Sequence, residues 1–362
     1  MRFLISGYYG FANLGDEALL AQIVAQLKTR YPLATIDVLS QEPAETAHEF
    51  GVASTPRADL GAAKRAIDRC DVFLSGGGGL LQNATSFRSL LYYAGLIRSA
   101  VRAGKKTMIF AQSVGPLDFW GRQTVKECCK GVTAATVRDE RSRTLLASLL
   151  PSLPIERTAD PVFLYDPPAE PPDLVPYGLG PESDPLVIVA VRKTTHFDVV
   201  AATLAAAVDR LSSEYGARIA FVPFGGQVDA DASTAVIRKC KTRPALVELP
   251  NFDAVAGAIA RARLVVGVRL HALILAVRFA VPFLAAAYDP KVVALCDDVG
   301  YPLEPLWTAP SIGKSNADPM AVVDAAWQRR DELAAQLSEA YAAQRALAEL
   351  NFSALARVLG RA

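Results

Sequence analysis

The side chains best suited to chemistry are Arg138, Arg192, Arg269, His271 and Lys291, together with Asn13, Asp16 and Gln82 earlier in the chain. Arginine offers a planar fork to a carboxylate or phosphate, lysine a point charge, and histidine a proton that moves near neutral pH. Four fixed cations with one imidazole suit a small, multiply charged anion, with His271 as acid or base. Carboxylates and carboxamides instead suit a hydroxyl-rich ligand, which they meet as hydrogen-bond acceptors. Taken singly, each cation is explained equally well by a surface or interdomain salt bridge.

The elements that must position these groups follow from the hydropathy pattern. In Leu264-Val265-Val266-Gly267-Val268-Arg269-Leu270-His271 a β-branched run stops at Gly267 and an apolar helical pattern begins at once. Arg269 and His271 therefore lie where a strand hands over to a helix N-terminus, a place that favours anions. On this segment alone, a packed histidine beside a solvated Arg269 fits equally well. Lys291 follows the next strand, 283–288, in Tyr288-Asp289-Pro290-Lys291.

In the first half Phe3-Leu4-Ile5-Ser6 reads as a strand, and Gly7-Tyr8-Tyr9-Gly10-Phe11-Ala12-Asn13-Leu14-Gly15-Asp16-Glu17 as the loop leading into a helix. Strand, glycine loop and helix form a phosphate-cradle layout, but the spacing fits neither the dinucleotide fingerprint nor the P-loop. Asp16 and Glu17 in the first turn partly cancel the anion affinity of that helix end, so a sugar is expected there in preference to a phosphate. The plainer alternative is that both acids only compensate the helix dipole. A second apolar strand, 71–75, runs into Gly76-Gly77-Gly78-Gly79-Leu80-Leu81-Gln82-Asn83, and consecutive glycines of this kind mark close approach to a ligand or another segment. Two further strands end in Gln112-Ser113-Val114-Gly115-Pro116 and in Arg138-Asp139.

This alternation predicts doubly wound parallel sheets, which bind ligands beyond the carboxyl ends of their strands. The proline-rich residues 166–173, with prolines 176, 181 and 185, read as a poorly structured linker. Strand 186–192 then restarts the pattern, followed by a helix (199–215), a strand (218–224), a loop (225–229), a helix (231–239), a short strand (246–249) and a helix (253–261). The expected fold class is α/β, with two Rossmann-like domains facing across a cleft in a GT-B-like arrangement. Residues 1–168 would form the N-terminal domain and 169–185 the linker. Residues 186–318 would form the C-terminal domain, and 319–362 helices packing across the domains.

Composition removes several classes. Lys and Arg total 38 against 37 Asp and Glu, so the net charge of +1 supplies no sequence-independent attraction to nucleic acid or an anionic membrane. Charged residues, prolines and glycines interrupt every apolar run before it could span a bilayer. The first residues read as a strand and not as a signal peptide. The 5 cysteines show no C-x-x-C spacing, which fits reduced thiols, no zinc site and a cytoplasmic location.

Taken together, Gly7-Tyr8-Tyr9-Gly10, Asn13-Leu14-Gly15-Asp16-Glu17, the glycine loop from Ser75 to Gln82, Gln112-Ser113-Val114-Gly115-Pro116, Val137-Arg138-Asp139, Arg269-Leu270-His271 and Tyr288-Asp289-Pro290-Lys291 resemble the polysaccharide pyruvyltransferases of bacterial cell walls, the CsaB type. The resemblance runs from residue 1 to about 300, with Ala12 a departure where the pattern more often has glycine. It implies a GT-B-like fold and transfer of the enolpyruvyl unit of phosphoenolpyruvate, a co-substrate used without cofactor or metal, onto two hydroxyls of one sugar. The product is a 4,6-linked pyruvate ketal. The implied acceptor is a β-linked N-acetylmannosamine in a lipid-linked precursor of a secondary cell-wall polymer that anchors S-layer proteins. Peripheral contact with the inner membrane face is expected with such an acceptor.

Carried onto this chain, the resemblance places Arg138, His271 and Lys291 at phosphoenolpyruvate, with Arg269 as basic companion. The cation set adds Arg192 to the donor side. His271, Asp16 and Glu17 are the expected catalytic groups, and Tyr8, Asn13, Asp16, Gly77, Gly78 and Gln82 the acceptor contacts. Two other readings remain: a GT-B glycosyltransferase using a nucleotide sugar, and a noncatalytic sugar- or anion-binding protein.

Overall fold

The computed structural model describes residues 1–180, 184–194, 196–287, 289–308 and 318–360. Tyr288 of the lysine motif and Pro181 of the proline-rich stretch lie outside them. The chain divides into two compact units, Met1–Tyr165 with Gln344–Ala362, and Asp166–Ala343.

The first unit is built on β1 (Arg2–Ser6), β2 (Thr35–Ser40), β3 (Ala53–Pro56), β4 (Val72–Gly76), β5 (Lys106–Gln112), β6 (Ala134–Val137) and β7 (Ile155–Arg157), in the order β3-β2-β1-β4-β5-β6-β7. Every pairing is parallel. Between the strands run α1 (Leu14–Arg30), α2 (Pro43–Phe50), α3 (Leu60–Arg69), α4 (Phe87–Arg102), α5 (Phe119–Cys128) and α6 (Glu140–Leu149). Such a sheet is covered on both faces, which is why Phe3, Leu4 and Ile5 on β1 and Phe73 and Leu74 on β4 are continuous apolar runs, all fully buried.

The second unit repeats the plan. Its strands β8 (Leu186–Ala190), β9 (Arg218–Phe221), β10 (Ala245–Leu246), β11 (Leu264–Gly267), β12 (Phe283–Ala287) and β13 (Trp307–Thr308) pair in the order β10-β9-β8-β11-β12-β13. Its helices are α7 (Phe197–Tyr215), α8 (Gly226–Ile237), α9 (Phe252–Arg261), α10 (Leu270–Arg278), α11 (Pro290–Asp298) and α12 (Pro319–Gln328). A last helix, α13 (Arg330–Leu359), gives its first part to this unit and its last part to the first unit. There Asn351 accepts from Thr158 Oγ1 at 2.8 Å and donates to the Ala159 carbonyl at 2.9 Å, while Phe352 meets Phe110 edge-on.

In both units the strand order reverses once, between β1 and β4 and between β8 and β11. That switch point opens a crevice at the carboxyl ends of the strands.

The structure departs from the sequence reading in places. The proline-rich stretch is packed: Leu174 and Leu179 are buried, Arg218 Nη1 donates to the Gly178 carbonyl at 2.9 Å, and Pro172 lies against Gly257 of α9. Its prolines stiffen a strap on the second unit, and the division falls at Tyr165/Asp166. Residues 225–229, read as a loop, contain the first turn of α8, with Gly225 at its N-cap. The tail is helical as expected, in two helices, α12 and α13. Among the described residues no helix is long and apolar enough to cross a membrane.

Candidate active site

At the first switch point the loop after β1 is fastened from several sides. Tyr9 folds inward and its hydroxyl donates to the Gly76 carbonyl at 2.8 Å, while Tyr93 Oη on α4 donates to the Gly7 carbonyl at 3.1 Å. Glu17 Oε1 accepts from the Gly10 N–H at 2.8 Å. Asn13, the N-cap of α1, makes no capping bond and instead donates through Nδ2 to Asp16 Oδ2. Asp16 Oδ1 in turn reaches the loop after β4, where a Cβ on Gly78 would sit 2.9 Å away at a φ of +70°. Glycine is needed at that position on both counts. Gly77 donates to the Phe110 carbonyl at 2.9 Å and Ser113 to the Gly78 carbonyl at 3.0 Å, so β5 supports the glycine run.

Burial makes Glu17 a weak acid. Removal from water pushes its carboxyl up from 4.5 to about 7, the charge of Asp16 pushes the same way, and the N–H groups of Gly10 and Phe11 partly oppose them. Tyr8 is exposed and stacked on Phe11, with ring centroids 4.1 Å apart. Gln82 is less available than expected: Nε2 donates to Thr85 Oγ1 at 2.7 Å and Oε1 accepts from the Thr85 N–H at 3.3 Å, closing a turn.

The second switch point carries the opposite charge. Arg192 is half-buried just beyond β8, and Arg269 is the N-cap of α10 just beyond β11. His271 is the second residue of α10, with Nε2 shielded from solvent. Lys291 takes the same place in α11 beyond β12, its N–H bound to Asp289 Oδ1 at 3.0 Å and its Nζ 4.0 Å from Asp289 Oδ2. Strands β8, β11 and β12 are neighbours, and adjacent strands lie about 4.8 Å apart, so these residues share one stretch of sheet edge.

Two of the arginines are engaged in ion pairs, the alternative the sequence allows for each cation. Arg269 forms a fork on Asp229, Nε to Oδ2 at 2.7 Å and Nη2 to Oδ1 at 2.6 Å, and Asp229 is 0% exposed. A Cβ on Gly225 would strike Arg269 Nη2 at 2.2 Å, so that glycine makes room for the guanidinium. Arg138 lies in the first unit, beyond β6, apart from the second-unit cations in the chain's division. It is buried, ion-paired to Asp160, and also donates to Ser113 Oγ, from Nη2 at 3.0 Å and from Nε at 3.3 Å. A buried guanidinium must be compensated, and Asp160 and Asp229 do this locally.

The residues missed by the sequence reading are the partners. Asp229 and Asp160 carried no visible signal beyond being acids near a strand end. Arg57, beyond the unrecognised β3, lies 4.9 Å from the Phe11 ring centroid and 4.5 Å from that of Tyr92, tying the β1 loop to α4. Cations packed on aromatic faces come from long-range pairing that sequence spacing does not encode.

The family model described as polysaccharide pyruvyl transferase matches residues 13–290. No curated protein matches the sequence. Among solved structures, the chain is similar to S. aureus MnaA bound to UDP, with 11% identity, a TM-score of 0.69, and coverage of 100% of this chain and 98% of that one. It is similar to the UDP-GlcNAc 2-epimerase of Neisseria meningitidis bound to UDP-GlcNAc, with 10% identity, a TM-score of 0.64 and coverage of 99% and 100%. A glycosyltransferase from Rickettsia africae gives 9% identity, a TM-score of 0.57 and coverage of 100% and 99%. At these identities the likeness concerns the fold, which is of the GT-B type.

Proposed function

This chain belongs to the polysaccharide pyruvyl transferase family, and from that premise we propose that it transfers the enolpyruvyl unit of phosphoenolpyruvate to two hydroxyls of one sugar, releasing phosphate. The family places it among transferases of polysaccharide pyruvylation; donor, acceptor and residue roles are our reading. The observation that carries the reading is the second switch point, where Arg192, Arg269, His271 and Lys291 stand at the ends of neighbouring strands.

The chemistry assigns the roles. His271 donates a proton to the methylene carbon of the donor, which becomes a methyl group, while positive charge develops on the adjacent carbon. A sugar hydroxyl attacks that carbon and loses its proton. Phosphate then departs with the electrons of its C–O bond, and the second hydroxyl closes the ketal as it loses its proton. One proton enters the methyl group and two leave the hydroxyls, the second ending on phosphate or solvent. Lys291 and Arg192 meet the carboxylate and phosphate charge, and Arg269, fixed by Asp229, holds the turn in front of His271. Arg138 acts on the donor through whatever donors its pairing to Asp160 and Ser113 leaves.

On the acceptor side Asp16 and Asn13 orient hydroxyls, with Tyr8 as a stacking face and the Gly77-Gly78 backbone as close approach. Glu17 takes a hydroxyl proton, a role suited to a carboxyl that titrates near neutrality. The acceptor class is a lipid-linked cell-wall glycan, with β-linked N-acetylmannosamine the first sugar to try and S-layer anchoring the process served. Ketal formation itself requires neither metal nor redox cofactor.

The test is phosphate release from phosphoenolpyruvate with and without a synthetic β-N-acetylmannosaminide, with the sugar weighed by mass spectrometry. Acceptor-dependent release with pyruvyl mass gain is expected. The UDP and UDP-GlcNAc bound in similar structures favour a second reading, a nucleotide-sugar glycosyltransferase. Tight UDP binding with no release for any hexosaminide would replace the first reading by that one.

A further inference from the structure

Helices α4 and α5 pack against one another and bury Leu90, Tyr93, Ala94, Ile97 and Val125 in the core of the first unit. Their first turns leave large apolar side chains outside it. Phe119 is 65% and Trp120 67% exposed, set edge to face, and Phe87 and Leu91 stand 39% and 48% exposed on α4. Phe87 and Leu91 belong to one helical stripe that continues through Gly95 to Arg98 and Arg102. Packing of this unit leaves Phe119 and Trp120 largely, and Phe87 and Leu91 partly, to solvent, and exposed apolar groups of this kind mark an interaction surface.

Charge on this face is equally one-sided. From Asp71 to Asp118 the intervening sequence holds no acid, and α4 carries Arg88, Arg98 and Arg102, all exposed; Lys105, beyond α4, turns instead to the Asp68 carbonyl of α3 at 2.7 Å. Exposed Arg122, Lys126 and Lys130 on and just after α5 face only Asp118 and Glu127 as nearby acids in sequence. The chain as a whole is nearly neutral at +1, so the shortage of acids here is made up elsewhere. Aromatic side chains settle at the headgroup level of a bilayer, and clustered Lys and Arg meet anionic headgroups.

We propose that the outer face of α4 and α5 rests on an anionic lipid bilayer, with Phe119 and Trp120 at headgroup depth and the helix cations over the phosphates. The face is tied to the candidate site: Asn83, at the end of the glycine loop, accepts the Asp118 N–H through Oδ1 at 3.1 Å, and Gly121 of α5 packs on the same side chain. A lipid surface held here lies beside the loop bearing Gly77, Gly78 and Gln82. The purpose of this arrangement rests on the lipid-linked acceptor proposed above; the physics of the face does not.

The test mixes the full chain with vesicles of phosphatidylcholine alone and of phosphatidylcholine with phosphatidylglycerol, and reads sedimentation and tryptophan emission. Trp307 and Trp327 are 5% and 9% exposed, so a blue shift on binding reports Trp120. Binding to the mixed vesicles is expected, weakening as salt rises. Arg122→Gln with Lys126→Gln should lower partitioning by roughly 25-fold, at about fivefold per cation near the surface. Phe119→Ser with Trp120→Ser should abolish the blue shift. Both double variants should keep normal turnover on a soluble acceptor, since all four side chains are exposed. Absence of binding by the unaltered chain, or equal partitioning of chain and variants, would overturn the proposal. Self-association lost in the Trp120 variant, without vesicle binding, would overturn it in favour of a second copy as occupant. Because this assay contains neither phosphoenolpyruvate nor sugar, its failure leaves the pyruvyl reading untouched, and the converse also holds.

Discussion

Beyond β1 and β4 the first unit presents Asn13, Asp16, Glu17 and a glycine run; beyond β8 and β11 the second, wound in the same strand order, presents Arg192, Arg269 and His271. The helices that begin there differ in kind. α1 has Asp16 and Glu17 in its first turn, which oppose an anion, whereas α10 has no acid in its first turn. The shared topology fixes where ligands can bind, and a handful of side chains fixes the charge that each place accepts. Each unit also buries one arginine on an aspartate, Arg138 on Asp160 and Arg269 on Asp229, so the same device is used on both sides of the division.

The sharpest way to break this comparison is to ask which switch point moves the proton to carbon. His271→Asn is expected to lower acceptor-dependent phosphate release by about 10²–10⁴-fold, the usual worth of a positioned acid or base, with phosphoenolpyruvate binding retained. Tyr8→Ala should mainly raise the KM for the sugar. If His271→Asn left turnover intact while Tyr8→Ala abolished it, the division of labour would be reversed.

Next in size are the buried pairs. Arg138→Met and Arg269→Met each strand a buried carboxylate, and each should cost about 3–5 kcal/mol in denaturant unfolding. The paired replacements Arg138→Met with Asp160→Leu, and Arg269→Met with Asp229→Leu, should regain most of that stability, because an uncharged pair carries no desolvation penalty. Activity should stay low in the second-unit pair even when its fold returns. A fully active Arg269→Met/Asp229→Leu protein would show that the guanidinium only shapes the core.

What the sequence made legible follows the same contrast. The β11–α10 junction is local: a β-branched run, Gly267, then a leucine-rich helix, so Arg269 and His271 were placed correctly from their neighbours alone. The edge strands β3 and β13 are not legible, although the edge strand β10 is. β3 reads Ala-Ser-Thr-Pro and β13 is only Trp307–Thr308, too short and too polar to show a period before a partner strand is present. Asp229 was read as a loop residue because Gly225-Gly226 looks like a turn, yet those glycines admit the Arg269 side chain and start α8. The partner of Arg138 is not legible, because Asp160, distant in sequence, gives no sign that it faces the same buried point.

A smaller effect tests the acceptor-side chemistry through pH. Burial holds the Glu17 carboxyl at about 7 against an ordinary 4.5, so between those values the folded protein keeps a proton that the unfolded chain has released. Stability from this group is therefore fully present below the ordinary value and is lost as pH rises through about 7. Glu17→Gln keeps an oxygen to accept the Gly10 N–H and removes the titration. Relative to the unaltered chain it should gain about 1–2 kcal/mol on going from acid to pH above neutrality, a figure discounted for partial exposure. A stability difference flat with pH would mean that Glu17 is solvated and unsuited to accept a hydroxyl proton.

The smallest effect concerns the path of the β1 loop itself. Ala12 has a φ of 54°, in the left-handed region, and Gly10 before it a φ of 75°. Among the described residues, no left-handed φ occurs in the corresponding short turn from Gly267 to Leu270. The loop after β1 thus holds strain that the turn after β11 does not. Alanine loses about 1–2 kcal/mol in that conformation, whereas glycine adopts it freely but gives the unfolded chain more entropy to lose. Ala12→Gly should therefore raise stability by only about 0.5 kcal/mol, a shift of a degree or two in Tm for a chain of this size, with turnover unchanged. A loss of stability would mean that the methyl group packs more usefully than its backbone is strained. A rise in the KM for the sugar with stability unchanged would instead show that the strain itself holds Tyr8 and Asn13 in place, making the first switch point preorganised and not merely decorated with acceptors.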